Sequence, residues 1–179
     1  MQKSVKPATK RTFISVIGES SATPENYEYA FQVGRLIAKA GAVLVCGALY
    51  GVMEAACKGA KSEGGVTIGV LPGSKRTDAN KWVDFPIVTG VGYARNKYVV
   101  KSGHVCIAVG GSYGTLSEIA FALGYNIPVV GLNTWAFKQY GRVWDRAVYR
   151  ARDPEYAVKK ALRLVAERKK LEYRREYKS

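Results

Sequence analysis

Three features of the sequence have residue types and a spacing suited to binding or transforming an anionic ligand. A glycine loop, Gly110-Gly111-Ser112-Tyr113-Gly114-Thr115, is followed after two residues by Glu118, and Arg95 lies 23 residues before Glu118. Glycines and a helix start are typical of phosphate binding, while an arginine and a carboxylate supply charges of opposite sign. The pattern predicts one pocket in which both charges flank a bound phosphate.

The glycine loop (residues 110–115) lies between a predicted strand and a predicted helix. Apolar residues 105–109 precede it, and an apolar helical pattern over 116–124 follows it. A helix start presents unpaired backbone N–H groups and the positive end of the helix dipole, and both favour an anion. Gly110, Gly111 and Gly114 would let a ligand approach the backbone, and Thr115 adds a hydroxyl. The alternative is a tight turn that needs glycine only for its backbone angles.

Arg95 and Glu118 each have a simpler explanation. We expect Glu118 to lie in the first turn of its helix, where an acid offsets the helix dipole without binding anything. Arg95 could be half of a surface ion pair, or could cover apolar surface with its stem. Their joint spacing to the glycine loop favours a role in the pocket.

That joint spacing resembles the LONELY GUY (LOG) family, whose signature is an arginine followed by Pro-Gly-Gly-x-Gly-Thr-x-x-Glu. Here Gly110 replaces the proline, Ser112 replaces the second glycine, and Asn96 stands between Arg95 and Lys97. These departures make the chain more similar to the related branch that includes the molybdenum cofactor carrier protein. Relatives are often labelled lysine decarboxylases, and we reject that activity because nothing suggests a pyridoxal phosphate lysine site.

The resemblance extends over most of residues 12–135 and implies further ligand-binding residues. Gly18, Ser20 and Ser21 stand where LOG-like proteins have their first ligand loop. Gly47 and Gly51 belong to a second glycine turn that leads into a helix. Three tyrosines are candidates for stacking on a ligand ring: Tyr50, Tyr93 and Tyr113.

The resemblance also implies an activity. In active LOG proteins the residues corresponding to Arg95 and Glu118 cleave the N-glycosidic bond of nucleoside 5′-monophosphates. Glu118 would stabilise positive charge on the ribose or orient the attacking water, and Arg95 would hold the phosphate or a ribose hydroxyl. Such a phosphoribohydrolase needs no cofactor and no metal.

Two alternatives to the hydrolase remain open. A non-catalytic carrier or sensor would use the same glycine loop for an anionic cofactor such as molybdenum cofactor, so the ligand is either a nucleotide or a pterin-like molecule. A weaker hypothesis is polyanion binding through the basic ends of the chain. The LOG resemblance further implies a homodimer packed through helices near the site.

Several common sites are not indicated. The first strand–helix turn, Gly18-Glu19-Ser20-Ser21, is not Gly-x-Gly-x-x-Gly, and no acidic residue ends the second strand to hold an adenosine ribose. The sequence has no Walker loop and no metal-ligand cluster, and we expect its one histidine, His104, to be structural.

The remaining elements alternate between apolar strands and helices. Strands are predicted over 12–17, 42–46, 66–71, 85–89, 105–109 and 128–132, and helices over 25–40, 52–63, 92–102, 116–124 and from 154 onward. Continuous apolar strands indicate a parallel sheet covered on both faces, so the prediction is a Rossmann-like three-layer α/β/α fold with a mostly parallel sheet. The turns 18–23, 47–51 and 110–115 would then meet at one edge of that sheet.

Charge and composition divide the chain into three parts. Of the net charge of +14, residues 1–11 carry +4, residues 12–137 carry +2 and residues 138–179 carry +8. We therefore expect a basic tail over 1–11, one nucleotide-binding domain over 12–166 and a charged helical extension over 167–179, with at most non-specific binding to nucleic acid. Three unpaired cysteines and the lack of a membrane segment or signal peptide predict a cytoplasmic protein.

Overall fold

A computed structural model of the protein describes residues 11–137 and 147–176, with side chains described as far as residue 168. The strands are β1 Phe13–Gly18, β2 Val43–Cys46, β3 Thr67–Leu71, β4 Phe85–Val88, β5 Val105–Val109, β6 Val129–Leu132 and β7 Val148–Ala151. The α-helices are α1 Pro24–Lys39, α2 Val52–Ser62, α3 Asn96–Ser102, α4 Tyr113–Gly124 and α5 Pro154–Glu176.

The seven strands form one sheet in the order β4-β3-β2-β1-β5-β6-β7, and every pairing is parallel. The chain runs outward from β1 to β4 and then returns to place β5 on the other side of β1. Ligands of such sheets bind where the strand order reverses, beyond the carboxyl ends of the strands. β1 and β5 end side by side, with Gly18 paired to Val109.

The sheet is covered on both faces, which gives the three layers predicted from the sequence. Side chains alternate along each strand, so Ile14 and Val16 pack into a core formed with α1, α2 and α5. Ile17 and Val45 point to the opposite face and pack into a second core with α3 and α4. The predicted Rossmann-like α/β fold is therefore confirmed.

Local details differ from the predicted elements. The helix predicted over 92–102 is a 3-10 turn, Gly92–Arg95, followed by α3. Strand β7 has no counterpart among the predicted strands, because only Val148 of its four residues is buried and it lacks the continuous apolar run of the others.

The ends of the chain are described only in part. Helix α5 continues to Glu176, as expected for a helical extension, whereas most of the predicted basic tail, residues 1–10, and residues 177–179 lie outside the described residues. The three-part division stays a prediction. Within the described part, none of the helices combines the length and apolar character needed to cross a lipid bilayer.

Candidate functional site

Three turns meet at the carboxyl ends of β1, β2 and β5. The Val52 N–H at the start of α2 donates to the backbone carbonyl of Glu19 after β1 (3.0 Å). The Gly111 N–H of the glycine loop donates to Glu19 Oε2 (2.9 Å). Arg95 Nη2 donates to the carbonyl of Gly47 after β2 (3.2 Å). An open cavity of about 500 Å³ lies beside these contacts.

Arg95 and Glu118 lie together in the wall of this cavity. Arg95 Nη1 is 3.4 Å from Glu118 Oε1, and the two residues are only 4% and 5% exposed. Arg95 Nη1 also donates to Asn96 Oδ1 (2.9 Å). The guanidinium is therefore fixed by three acceptors, and its two shorter hydrogen bonds do not involve Glu118.

Burial perturbs both ionisable groups. Desolvation raises the pKa of Glu118 to about 7, and the positive charge of Arg95 only partly opposes this rise. Desolvation likewise lowers the pKa of Arg95, against the favourable charge of Glu118. Glu118 thus divides between its neutral and ionised forms near neutral pH, so it can either donate or accept a hydrogen bond. Carboxyls with such pKa values occur preferentially at functional sites.

The N-terminus of α4 forms another wall of the cavity. Tyr113, Gly114 and Thr115 are its first three residues, and backbone N–H groups at these positions have no acceptor within their own helix. Thr115 is 1% exposed, and its Oγ1 has no hydrogen-bond partner. A Cβ added at Gly114 would meet only Ser112 Oγ, at 4.0 Å, so the space beside this glycine is open.

The glycine loop reaches this position through two residues with positive φ, Gly110 (+57°) and Gly111 (+144°). A Cβ at Gly110 would lie 2.4 Å from Asn26 Nδ2 and 2.7 Å from Glu19 Oε1. Proline, whose φ is near −65°, fits neither the backbone angle nor the space. The positive φ of Gly110 therefore excludes the proline that the LOG signature has at this position.

Most residues predicted to bind ligand line the cavity, and some do not. The cavity walls include Gly18, Ser20, Arg95, Ser112, Tyr113, Gly114, Thr115 and Glu118. The predicted residues outside the lining are Ser21, Gly47, Gly51, Gly110 and Gly111. Gly110 and Gly111 shape the loop, and Gly47 contacts Arg95. Gly51, with φ of +62°, lets α2 begin against the backbone of Ser20.

One expectation about an individual residue was wrong, and one alternative is excluded. Glu118 is not in the first turn of its helix, because α4 begins at Tyr113, three residues earlier than the apolar pattern indicated. The dipole explanation for this acid therefore does not apply. Arg95 is buried, so it is not half of a surface ion pair. Tyr93 and Tyr113 line the cavity, whereas Tyr50 does not.

Some residues that shape the site were missed from the sequence. Asn96 Nδ2 donates to Ser117 Oγ (3.0 Å), which ties the segment carrying Arg95 to α4. Met53 and Leu49 supply apolar surface to the cavity. The only sequence signal for Asn96 was its place beside Arg95, where the LOG signature usually has lysine. In the described portion of the chain, no three His, Cys, Asp or Glu side chains lie together in a group that could hold a metal ion.

Comparison with known proteins identifies the family. The model of the SLOG cluster4 family matches residues 11–158. The chain belongs to this family. This SLOG protein is 36% identical to the molybdenum cofactor binding protein of Rippkaea orientalis, over 88% of this chain and 99% of the other, with a TM-score of 0.79. For the molybdenum cofactor carrier protein of Chlamydomonas reinhardtii the identity is 35% over the same shares, with a TM-score of 0.77.

A further relative is a protein of Archaeoglobus fulgidus, 50% identical over 110 residues, which are 62% of this chain and 72% of that protein. The resemblance to the LOG superfamily, and to its carrier-like branch in particular, is thus confirmed. The comparisons support a ligand-binding SLOG protein.

Proposed function

We propose that this SLOG protein binds a phosphorylated, ring-bearing ligand in the cavity, in the manner of a carrier. The observation that carries the proposal is the buried, unpartnered Thr115 Oγ1 at the N-terminus of α4. A buried hydroxyl without a partner costs free energy, and the adjoining N–H groups attract anions. A phosphate oxygen beside Gly114 would accept a hydrogen bond from the Thr115 hydroxyl and from these N–H groups.

The rest of the cavity suits a flat ring. Tyr93 and Tyr113 line it and are 83% and 81% exposed, so their rings are accessible for stacking. Leu49 and Met53 add apolar surface. Arg95 supplies a fixed positive charge, and the carboxyl of Glu118 supplies a hydrogen-bonding group that can adapt to the ligand by changing protonation.

Molybdenum cofactor, a phosphorylated pterin, has this combination of groups, and both solved relatives above are described as binding or carrying it. The test is to purify the protein without oxygen from cells supplied with molybdate and to measure molybdenum and phosphorus per protomer by mass spectrometry. We expect both elements to be retained by the unaltered protein and lost from Thr115→Val, which replaces the hydroxyl with a methyl group of similar size. A folded protein that contains neither element contradicts the carrier proposal.

Hydrolysis of nucleoside 5′-monophosphates is the second candidate, because Glu118 has a pKa near the operating pH of a general acid or base. The protein would be incubated with a panel of nucleoside 5′-monophosphates and free base followed by chromatography. Base release that disappears in Glu118→Gln would establish the hydrolase. No release from any nucleotide would contradict it, and the carrier proposal would be unaffected.

The proposal includes a homodimer packed through α3 and α4. Tyr98 of α3, Phe121 of α4 and Tyr125, the residue directly after α4, are exposed, and we call these three side chains the α3–α4 surface. α3 contains no acidic residue, and the one acid of α4, Glu118, is buried. The charges beside this surface are the ammonium groups of Lys97 and Lys101, which lie over the rings of Tyr98 and Tyr125. The three buried free thiols support a reducing, cytoplasmic location.

A further inference from the structure

We propose that Glu19 is a positioning residue that holds the glycine loop in place and weakens its affinity for anions. This inference rests on the proposed phosphate site. Glu19 Oε2 accepts the Gly111 N–H (2.9 Å), and Oε1 accepts Asn26 Nδ2 (2.8 Å). The carboxylate does not line the cavity and lies behind the loop, so it acts through Gly111.

The hydrogen bonds continue beyond Glu19. Asn26 is buried, and its Oδ1 accepts from Asn133 Nδ2 (2.8 Å). Gly111, Glu19, Asn26 and Asn133 come from four different segments: the glycine loop, the turn after β1, the first turn of α1 and the residue after β6. The chain of hydrogen bonds therefore links the loop to both neighbouring strands of the site.

The charge of Glu19 has a second consequence. The backbone N–H groups at the start of α4 favour a negative ligand, but a carboxylate already occupies the N–H of Gly111. A phosphate must then bind to the N–H groups of residues 113–115, where the negative charge of Glu19 repels it. Glu19 thus fixes the loop while lowering its intrinsic affinity for phosphate, a combination suited to a ligand that must later be released.

The two roles predict opposite effects for two substitutions. In Glu19→Gln the side-chain oxygen can still accept from Gly111, and the amides of Asn26 and Asn133 can each turn over to keep the hydrogen bonds. The loop then stays in place while the repulsion disappears. In Glu19→Ala the Gly111 N–H loses its acceptor, and the loop loosens. A purely structural role would leave anion binding unchanged in Glu19→Gln and weaken it only in Glu19→Ala.

The experiment follows backbone amides by NMR in the unaltered protein, Glu19→Gln, Glu19→Ala and Glu28→Gln. Glu28 is an exposed glutamate of α1, so its substitution makes the same change in net charge away from the site. Without ligand, we expect hydrogen exchange at Gly111 to accelerate about tenfold or more in Glu19→Ala only. In a titration with inorganic phosphate detected at Thr115, we expect Glu19→Gln to bind ~3- to 10-fold more tightly and Glu19→Ala more weakly.

Each result has a definite meaning. Gly111 exchange in Glu19→Ala equal to that in Glu28→Gln would overturn the positioning role. Phosphate affinity in Glu19→Gln that does not exceed the affinity of the unaltered protein would overturn the charge effect. If the unaltered protein shows no response to phosphate at Thr115, the proposed phosphate site is wrong and the charge effect falls with it. The Gly111 exchange rates decide the positioning role in that case as in the others.

Discussion

Arg95 holds its place mainly through Asn96 and Gly47, while its contact with Glu118 is the longest of its three hydrogen bonds, at 3.4 Å. Two uncharged acceptors therefore hold the arginine in addition to its ion pair with the glutamate. Glu118→Gln keeps a hydrogen-bond acceptor at this position while removing the titratable group, so it is the variant of choice for testing the pair.

We first predict how Glu118 makes stability depend on pH. Its pKa is about 7 in the folded protein and near 4.3 in an unfolded chain, so the folded state binds more protons between these values. The free energy of unfolding must then fall as pH rises from about 4.5 to 7, and above that range Glu118 causes no further decrease. Relative to Glu118→Gln, the unaltered protein should lose up to about 1.4 kcal/mol per pH unit in this window.

Urea unfolding of both proteins at several pH values from 4.5 to 8.5 measures this difference. The variant cancels contributions from all other titrating groups, since they are common to both chains. Unfolding free energies that stay parallel over the whole range would show that Glu118 titrates normally, and its assignment as an adaptable hydrogen-bonding group would fail.

A second prediction concerns Gly110. Gly110→Pro, which restores the proline of the LOG signature, should destabilise the fold by about 3 kcal/mol or more, because proline cannot adopt a φ of +57°. Gly110→Ala should cost less but still destabilise, since its Cβ would crowd Asn26 and Glu19. Thermal unfolding measures both. Gly124→Ala is the control, because a Cβ there meets nothing within 4 Å.

If Gly110→Pro unfolds at the same temperature as the unaltered protein, the loop conformation described above is wrong. A loss of similar size in Gly124→Ala would instead show that any glycine substitution near this helix is disruptive.

The positions of the turns could be predicted from the sequence because they follow from local patterns. Apolar strands ending in glycine turns sufficed to place residues 18–23, 47–51 and 110–115 at one edge of a parallel sheet. The start of α4 was placed too late, since Tyr113 and Gly114 do not continue the apolar pattern of the helix. That error put Glu118 in the first turn and suggested a dipole role that the structure removes.

The contacts of Glu19 could not be predicted in this way. Asn26 is only seven residues away, but Gly111 is brought to Glu19 by strand order and is 92 residues away in sequence. No periodicity or motif encodes such a pairing in a single sequence. The same holds for the burial of Arg95, which depends on Gly47 and on a 3-10 turn that the sequence does not distinguish from the start of a helix.

A third prediction separates folding from binding at Gly114. This residue has no positive φ, and a Cβ would fit without strain, so Gly114→Ala should leave the melting temperature within about 2 °C of the unaltered protein. The added methyl group would nevertheless occupy cavity space beside Thr115. We expect the molybdenum and phosphorus retained after purification to fall at least fivefold relative to Gly124→Ala. Equal retention in both variants would show that no ligand group approaches this part of the glycine loop.

The last prediction concerns assembly through the α3–α4 surface. In a dimer with twofold symmetry each residue of the interface occurs twice, so Phe121→Glu would place two carboxylates in a desolvated contact. Light scattering coupled to size exclusion should give twice the chain mass of 19.6 kDa for the unaltered protein and 19.6 kDa for the variant. Tyr156→Glu is the matched control, since Tyr156 is an exposed aromatic on α5, which packs on the other face of the sheet. A monomeric unaltered protein at micromolar concentration, or a Phe121→Glu variant that remains dimeric, would exclude this surface as the interface.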